Sequence, residues 1–290
     1  MPELPEVETV RIGLSRLLPG RVIAAIDFDW PKSFPNAAAD VASFVVGAEI
    51  VAVERRAKVL LIELSTQYTL VIHLKMTGQL VFRSASERFG AGHPNDSLVG
   101  DLPDRSTRVT TTFTDDSQLF FNDQRKFGWM RLMPTAEVMN LDFFQKVGPE
   151  PLAADFTWQA FRERLLRRPK SNVKAVLLDQ TVVAGIGNIY ADESLWGAKI
   201  HPLTLVKDLK PRQIETLYEE LVMVLKLAIE KGGSTDKNYV NAEGKKGSYL
   251  TFARVFRREG QACPRCGHEI VKTRVAGRGT HLCPFCQKQP

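Results

Sequence analysis

Past an opening helical stretch, the hydrophobic pattern of this chain changes period near Met133-Pro134, so the chain has to build two different kinds of core. Ahead of that point apolar residues come in short, β-branched and aromatic runs separated by turn residues: VIAAIDFDW, IVAVERR, KVLLIEL, TLVIHLK, QLVFR, RVTTTFT, SQLFFND and FGWMRLM. Eight such runs predict a β-sandwich or a barrel-like pair of sheets. Residues 84–106, rich in Gly, Pro, Ser and Asp, read as a long mobile loop. Behind Leu141 the pattern turns helical, in TWQAFRERLLRR, SNVKAVLLD and NIYADESLWGA. A long amphipathic segment follows, with Ile214, Leu217, Leu221, Leu225 and Ile229 on one face and Lys231-Gly232-Gly233 to close it. Residues 234–248 are polar and read as a second flexible loop. The fold class is therefore α+β, in more than one domain.

The first ten residues, MPELPEVETV, predict a helix preceded by reactive chemistry. Val7, Val10, Leu14 and Leu17 recur at helical spacing, Pro5 suits the first helical position, and Glu6 and Glu8 suit the first turn, where the helix dipole favours negative charge. Pro2 and Glu3 then sit just ahead of the helix. Removal of Met1 would expose Pro2 as a secondary amine. An α-amine with a pKa of about 7.7 to 8 is roughly 10 to 17% neutral at pH 7, against about 0.04% for an ordinary lysine. Such an amine can attack an aldehyde-like sugar carbon, and the iminium it forms is cationic without an added proton. Glu3 could move a proton beside it. These ten residues by themselves are equally compatible with two prolines that merely start a helix.

All four cysteines lie in CPRC (Cys263, Cys266) and CPFC (Cys283, Cys286), with sixteen residues between the pairs. Four thiolates at this spacing close a tetrahedron around one structural Zn2+ and leave no position open for water. Disulfides or a redox pair are the alternative, which an intracellular setting disfavours. Between the knuckles, VAGRGT reads as a hairpin turn with Arg278 at its tip. Upstream, GIGN places Gly185 and Gly187 ahead of Asn188, the expected N-cap of a helix, where free N–H groups suit a phosphate.

The net charge is +6, but it is unevenly spread. From Arg257 onward seven basic residues face two acidic ones, and Arg162, Arg164, Arg167, Arg168, Lys170 and Lys174 form a second cluster interrupted only by Glu163. Such patches suit a polyanion, although each alone could be a solvated helix face. No run is apolar enough to span a membrane, and nothing near the start looks like a secretory signal. The expectation is a soluble, cytoplasmic protein.

Taken together, MPELPEVE, RRAK, HLKMTG, DQRKFG, GIGNIYADE and the cysteine tail closely resemble the formamidopyrimidine-DNA glycosylase family of base-excision repair enzymes, from Pro2 to Cys286. The resemblance implies an N-terminal catalytic β-sandwich with a flanking helix (1–134), a helical domain with a helix-two-turn-helix motif (135–255) and a four-cysteine zinc finger (256–290). It implies a monomer acting on double-stranded DNA that contains oxidised bases such as 8-oxoguanine. Pro2 would attack C1′, Glu3 would handle protons, Lys58 would bind phosphate and assist β-elimination, and Arg278 would grip the phosphates flanking the lesion and serve δ-elimination. His73 and Asn188 match further phosphate ligands. Met76, Arg125 and Phe127 match the wedge that fills the hole left by a flipped base, whereas the residues alone favour strand-core positions for Met76 and Phe127. Lys170 and Lys174 resemble lysines near the DNA and base pocket, and Lys237 falls in the loop that folds over the lesion.

Two positions depart from the family pattern. Lys126 stands where some relatives have a second arginine, and Ser106 where relatives often carry a DNA-contacting histidine. The endonuclease VIII branch, which removes oxidised pyrimidines, is a second reading, but it tends to read PEGPE where this chain reads PELPE. A non-catalytic zinc-ribbon protein that binds nucleic acid is a third, and the presence of both Pro2 and Glu3 speaks against it.

Overall fold

A computed structural model describes residues 2–93, 95–234 and 249–289. The chain divides into two compact units, Met1–Gln145 with Lys231–Ser248, and Lys146–Glu230 with Tyr249–Pro290. Among the described residues no helix is long and apolar enough to cross a membrane.

The first unit opens with α1 (Leu4–Leu17), followed by β1 (Ile23–Phe28), α2 (Ala38–Phe44), β2 (Ile50–Arg56), β3 (Val59–Leu64), β4 (Tyr68–His73), β5 (Gly78–Arg83), β6 (Arg88–Gly92), β7 (Thr107–Phe113), β8 (Gln118–Asp123) and β9 (Trp129–Pro134). The strands form two antiparallel sheets, one ordered β1-β7-β8-β5-β6 and the other β2-β3-β4-β9. Alternate residues of each sheet meet in one core: Leu60, Ile62 and Leu64 from β3, Leu80 and Phe82 from β5, and Leu119 and Phe121 from β8. Val7, Val10, Leu14 and Leu18 add the apolar stripe of α1. Each such buried side chain contributes about 1.5–3 kcal/mol. Gly13 is required here, because a Cβ on it would lie 2.0 Å from Cζ of Phe89 on β6.

All eight expected strands are present, but residues 84–106 are not a structureless loop. They hold β6 and a short 3-10 turn, Asp96–Leu98, and their apolar residues Leu98 and Leu102 cover Val81 and Phe120 on the outer face of the five-stranded sheet. FGAG is too small and glycine-rich to look like a strand, and it becomes one by pairing with β5.

A short helix, α3 (Asp142–Lys146), ends at the boundary of the first unit, and the second unit carries α4 (Trp158–Leu166), α5 (Val173–Leu178), α6 (Asn188–Gly197), α7 (Pro211–Glu230) and the hairpin β10 (Val271–Val275) and β11 (Arg278–Leu282). Thr157 caps α4 and Asn172 caps α5 through side-chain oxygens. On α7 the buried face includes Ile214, Leu217, Leu221 and Leu225 as the periodicity predicts, with Val224 and Ala228 completing it. Gly232 and Gly233 follow α7 with φ of +75° and +81°, the left-handed geometry that ends a helix.

Candidate DNA-lesion site

In the first unit, Pro2 and Glu3 are buried immediately ahead of α1, with Glu3 as its N-cap. The carboxylate of Glu6 reaches back to accept the Glu3 N–H at 2.8 Å, the return half of a capping box. Its other oxygen accepts the Ser234 N–H at 2.7 Å, so one buried carboxylate ties the amino-terminal residues to the segment that follows α7. Lys237 lies outside the described residues.

Lys58 sits in the two-residue connection between Arg56 and Val59 and is only 5% exposed. That connection is held to α1 by Arg55, whose Nε donates to Glu8 at 2.7 Å while its Nη1 donates to the Ala57 carbonyl at 2.8 Å. Burial would raise the Glu8 carboxyl, but hydrogen bonds from Arg11 and Arg55 outweigh it and hold the group below the ordinary carboxylate range.

His73 pairs with Val59 on one side and Trp129 on the other, which places it beside the Lys58 connection. Burial, reinforced by the positive charges of Lys75 and Lys58, pushes its pKa down to about 3. The ring is therefore neutral at physiological pH. Its Nδ1 accepts the Lys75 N–H at 3.0 Å, which leaves the proton on Nε2 as a donor.

The β4–β5 turn carries Met76, and the β8–β9 turn carries Arg125 and Phe127. Phe127 is 54% exposed and Arg125 is exposed, with its guanidinium 4.8 Å from the centre of the Phe127 ring. Phe127 is thus on the surface, not in the strand core that its neighbours suggested, because β9 begins only at Trp129. Lys126 folds the other way, its ammonium 4.5 Å from the centre of the Trp30 ring. Lys58, His73, Met76, Arg125 and Phe127 all lie at one end of the sandwich. Several of the turns that present them contain a non-glycine residue with positive φ: Ala57 (54°), Lys75 (51°) and Lys126 (58°).

Ser106 is buried and does not present its hydroxyl at the surface. It is 2% exposed, its N–H and hydroxyl both donate to Asp104 at 2.7 Å, and it lies 3.0 Å from the Ser97 hydroxyl. The serine is spent on folding residues 95–106.

The second unit presents Arg278 and Lys170 on its surface. Arg278 begins β11 after a tight Ala276-Gly277 turn in which both residues have positive φ, as a two-residue hairpin needs. The adjacent Gly279 carbonyl accepts the Asn188 side-chain N–H at 2.9 Å. Asn188 is the first residue of α6, not its N-cap; extended Gly187 takes that place, and the Asn188 amide is used on the hairpin. Lys174, expected near DNA, has a wholly buried side chain. Its ammonium donates to Asp192 and to the Thr280 hydroxyl, each at 2.6 Å, and to the Gly279 carbonyl at 3.4 Å. With those three acceptors it fastens the Arg278 hairpin to α6 and offers no surface charge to DNA.

The four cysteine sulfurs lie within 4.8 Å of one another, and all four thiols are free. A tetrahedron with Zn–S bonds of about 2.3 Å has S···S edges of about 3.8 Å. The Cys263–Cys286 separation of 4.0 Å and the Cys266–Cys283 separation of 3.4 Å bracket that value, so the residues fit one structural zinc. The Trp196 indole N–H donates to Cys263 Sγ at 3.4 Å, and the Arg265 guanidinium donates to the Trp196 and Gly197 carbonyls at the end of α6. Arg254 and Arg265 also stack on Trp196, at 4.8 and 3.9 Å from the ring centre. Sequence reasoning missed Asp192, Glu193 and Trp196 as the residues that hold the finger, because all three look like ordinary helix residues. Glu193 accepts backbone N–H groups from Arg254, Val255 and Phe256.

Models of the formamidopyrimidine-DNA glycosylase N-terminal domain, its H2TH domain and the zinc finger found in FPG and IleRS match residues 1–130, 147–239 and 260–289. The formamidopyrimidine-DNA glycosylase of Pelotomaculum thermopropionicum is 41% identical over 289 residues, 99% of each chain. Lactococcus lactis Fpg, solved with DNA carrying an abasic site, an N7-benzyl-Fapy-dG or an oxidised pyrimidine, is 37% identical, with TM-scores of 0.86, 0.86 and 0.85; the match covers 99% of this chain and 100% of that one. The chain belongs to the formamidopyrimidine-DNA glycosylase family.

Proposed function

We propose that this bifunctional DNA glycosylase and abasic-site lyase removes oxidised purines, formamidopyrimidines and 8-oxoguanine, through a covalent bond from Pro2, and works as a cytoplasmic monomer on nucleoid DNA. The observation that carries the reading is the placement of Pro2 and Glu3 at the positive end of α1, with the Glu3 backbone fixed by Glu6 at 2.8 Å. That end lowers the proton affinity of a freed Pro2 amine. The amine lone pair bonds C1′ as the bond from C1′ to the base breaks and the base leaves with a proton. Ring opening leaves a cationic iminium, which acidifies the C2′ protons. Loss of one of them expels the 3′ phosphate by β-elimination, and a second elimination expels the 5′ phosphate, giving a one-nucleotide gap. Glu3 moves protons at the base or sugar, Lys58 holds phosphate and assists the first elimination, and Arg278 serves the second.

Neutral His73 donates to a phosphate from Nε2, while Lys170 and the turn at Asn188 add phosphate contacts. Met76, Arg125 and Phe127 fill the space vacated by the flipped nucleotide, which offsets part of the few kcal/mol of unstacking. The zinc shapes the finger and takes no part in the chemistry. The functional division is 1–134 for chemistry, 135–255 for backbone binding and 256–290 for the Arg278 hairpin, with Lys237 in the segment that covers the lesion.

Excision from a panel of lesion duplexes tests the substrate class. Release of 8-oxoguanine and formamidopyrimidines should run ahead of release of oxidised pyrimidines; the reverse order would favour the endonuclease VIII reading. Binding with no release of any base would leave only the nucleic-acid-binding reading.

A further inference from the structure

Asp123, the last residue of β8, is wholly buried, yet it has no part in the chemistry just described. Its carboxylate is shared by the two turns at the wedge end of the sandwich. Oδ2 accepts the N–H groups of Phe127 at 2.8 Å and Gly128 at 2.6 Å. Oδ1 accepts the Arg125 N–H at 3.2 Å and the hydroxyl of Thr77. Thr77 follows Met76, and its hydroxyl oxygen also accepts the Arg125 N–H, at 3.0 Å. Gly128 has to be glycine for this to close, since a Cβ there would lie 2.6 Å from Phe121 and 3.1 Å from Asp123 Oδ2.

We propose that Asp123, with Thr77, is the positioning residue that locks the Met76 turn and the Arg125–Phe127 turn into one rigid wedge, and so determines how well the enzyme opens a paired duplex. The inference rests on the reading of Met76, Arg125 and Phe127 as the wedge. Without the joint the two turns are separate surface loops, one of them held at Lys126 with φ of 58°. A loop that has to be ordered when DNA binds subtracts that ordering cost from the energy available for unstacking. A rigid wedge has met the cost in folding. The burial and the number of donors make a carboxylate necessary: four N–H or O–H groups converge on its two oxygens, and an amide would turn an NH2 toward donors on one side.

The test is the ratio of excision from a base-paired lesion to excision of the same lesion in single-stranded DNA, which has no opposite strand and no hole to fill. In Asp123→Asn and in Thr77→Val the ratio should fall about ten-fold, the equivalent of losing one good contact in the opened duplex. Thr77→Ser, which keeps the hydroxyl, should restore it. Thermal melting of each variant reports whether the fold is retained. A fall of both activities in parallel would make Asp123 merely structural and overturn the proposal. So would an unchanged ratio in Asp123→Asn while Met76→Ala lowers it. An unchanged ratio in Met76→Ala as well would remove the wedge reading, and the positioning role with it.

Discussion

Lys174 and Asp192 form an ion pair with a 2.6 Å contact, and neither side chain reaches solvent. Asp192 also accepts the His281 N–H at 2.9 Å, so the pair joins α5, α6 and β11 around the Gly279 carbonyl next to Arg278. Replacing one partner leaves a buried charge uncompensated, which costs about 3–5 kcal/mol, whereas replacing both costs much less. Lys174→Met should therefore lower the unfolding free energy in denaturant titration by about that amount, and Lys174→Met with Asp192→Asn should recover part of it. Equal losses in single and double variants would show that the pair does not hold the hairpin.

Zinc removal should act through the same hairpin. Chelation or Cys266→Ser should release one zinc, change the fluorescence of Trp196 beside Cys263, and weaken DNA binding while the β-sandwich signal in circular dichroism stays intact. With Arg278 no longer placed, the slope of log affinity against log salt should fall by about 0.9, the value of one phosphate contact. Unchanged affinity and slope in metal-free protein would contradict the role given to the finger.

His73 should not titrate in the physiological range. Its folded pKa of about 3 lies below the ordinary 6.5, so the stability it supports is complete above pH 6.5 and is lost as pH falls toward 3. Its ring-proton shift in NMR should stay flat from pH 8 to pH 5; an inflection near 6.5 would mean that burial does not suppress its protonation. His73→Gln, which keeps a neutral donor, should lose less DNA affinity than His73→Ala, by a margin of about 1 kcal/mol.

Glu8 adds a second acid sensitivity of the same sign, set by its hydrogen bonds to Arg11 and Arg55 rather than by burial. Its folded pKa lies below its ordinary 4.5, so its contribution is complete above about pH 4.5 and disappears as pH falls through the lower folded value. Arg55→Met should cost about 1–2 kcal/mol at pH 7, and the difference from the parent should shrink below pH 4 in thermal melts. A pH-independent difference would mean that Arg55 acts by packing alone.

Much of this was legible in the sequence because local chemistry agreed with the fold. Period-two runs placed eight strands, Pro5 and the acidic first turn placed α1, and the cysteine spacing placed the metal site. β6 was hidden because FGAG carries no strand signal of its own, and Leu98 and Leu102 act only against Val81 and Phe120, which are distant in sequence. Phe127 reads as a strand residue until Asp123 is seen to hold its turn. Lys174 reads as a DNA-facing cation because nothing in VKAVLLD reveals that Asp192 and Thr280 enclose it. For β6 and Lys174 the missing information was a partner distant in sequence, and for Phe127 it was a buried carboxylate four residues away.

Borohydride trapping with a duplex containing 8-oxoguanine is the most direct measurement of the Pro2 chemistry. The processed enzyme should yield a covalent protein–DNA adduct whose modified residue, by mass spectrometry, is Pro2, and Pro2→Gly or an amino-terminal extension should abolish it. An adduct on another residue, or full strand cleavage by protein that retains Met1, would contradict the account.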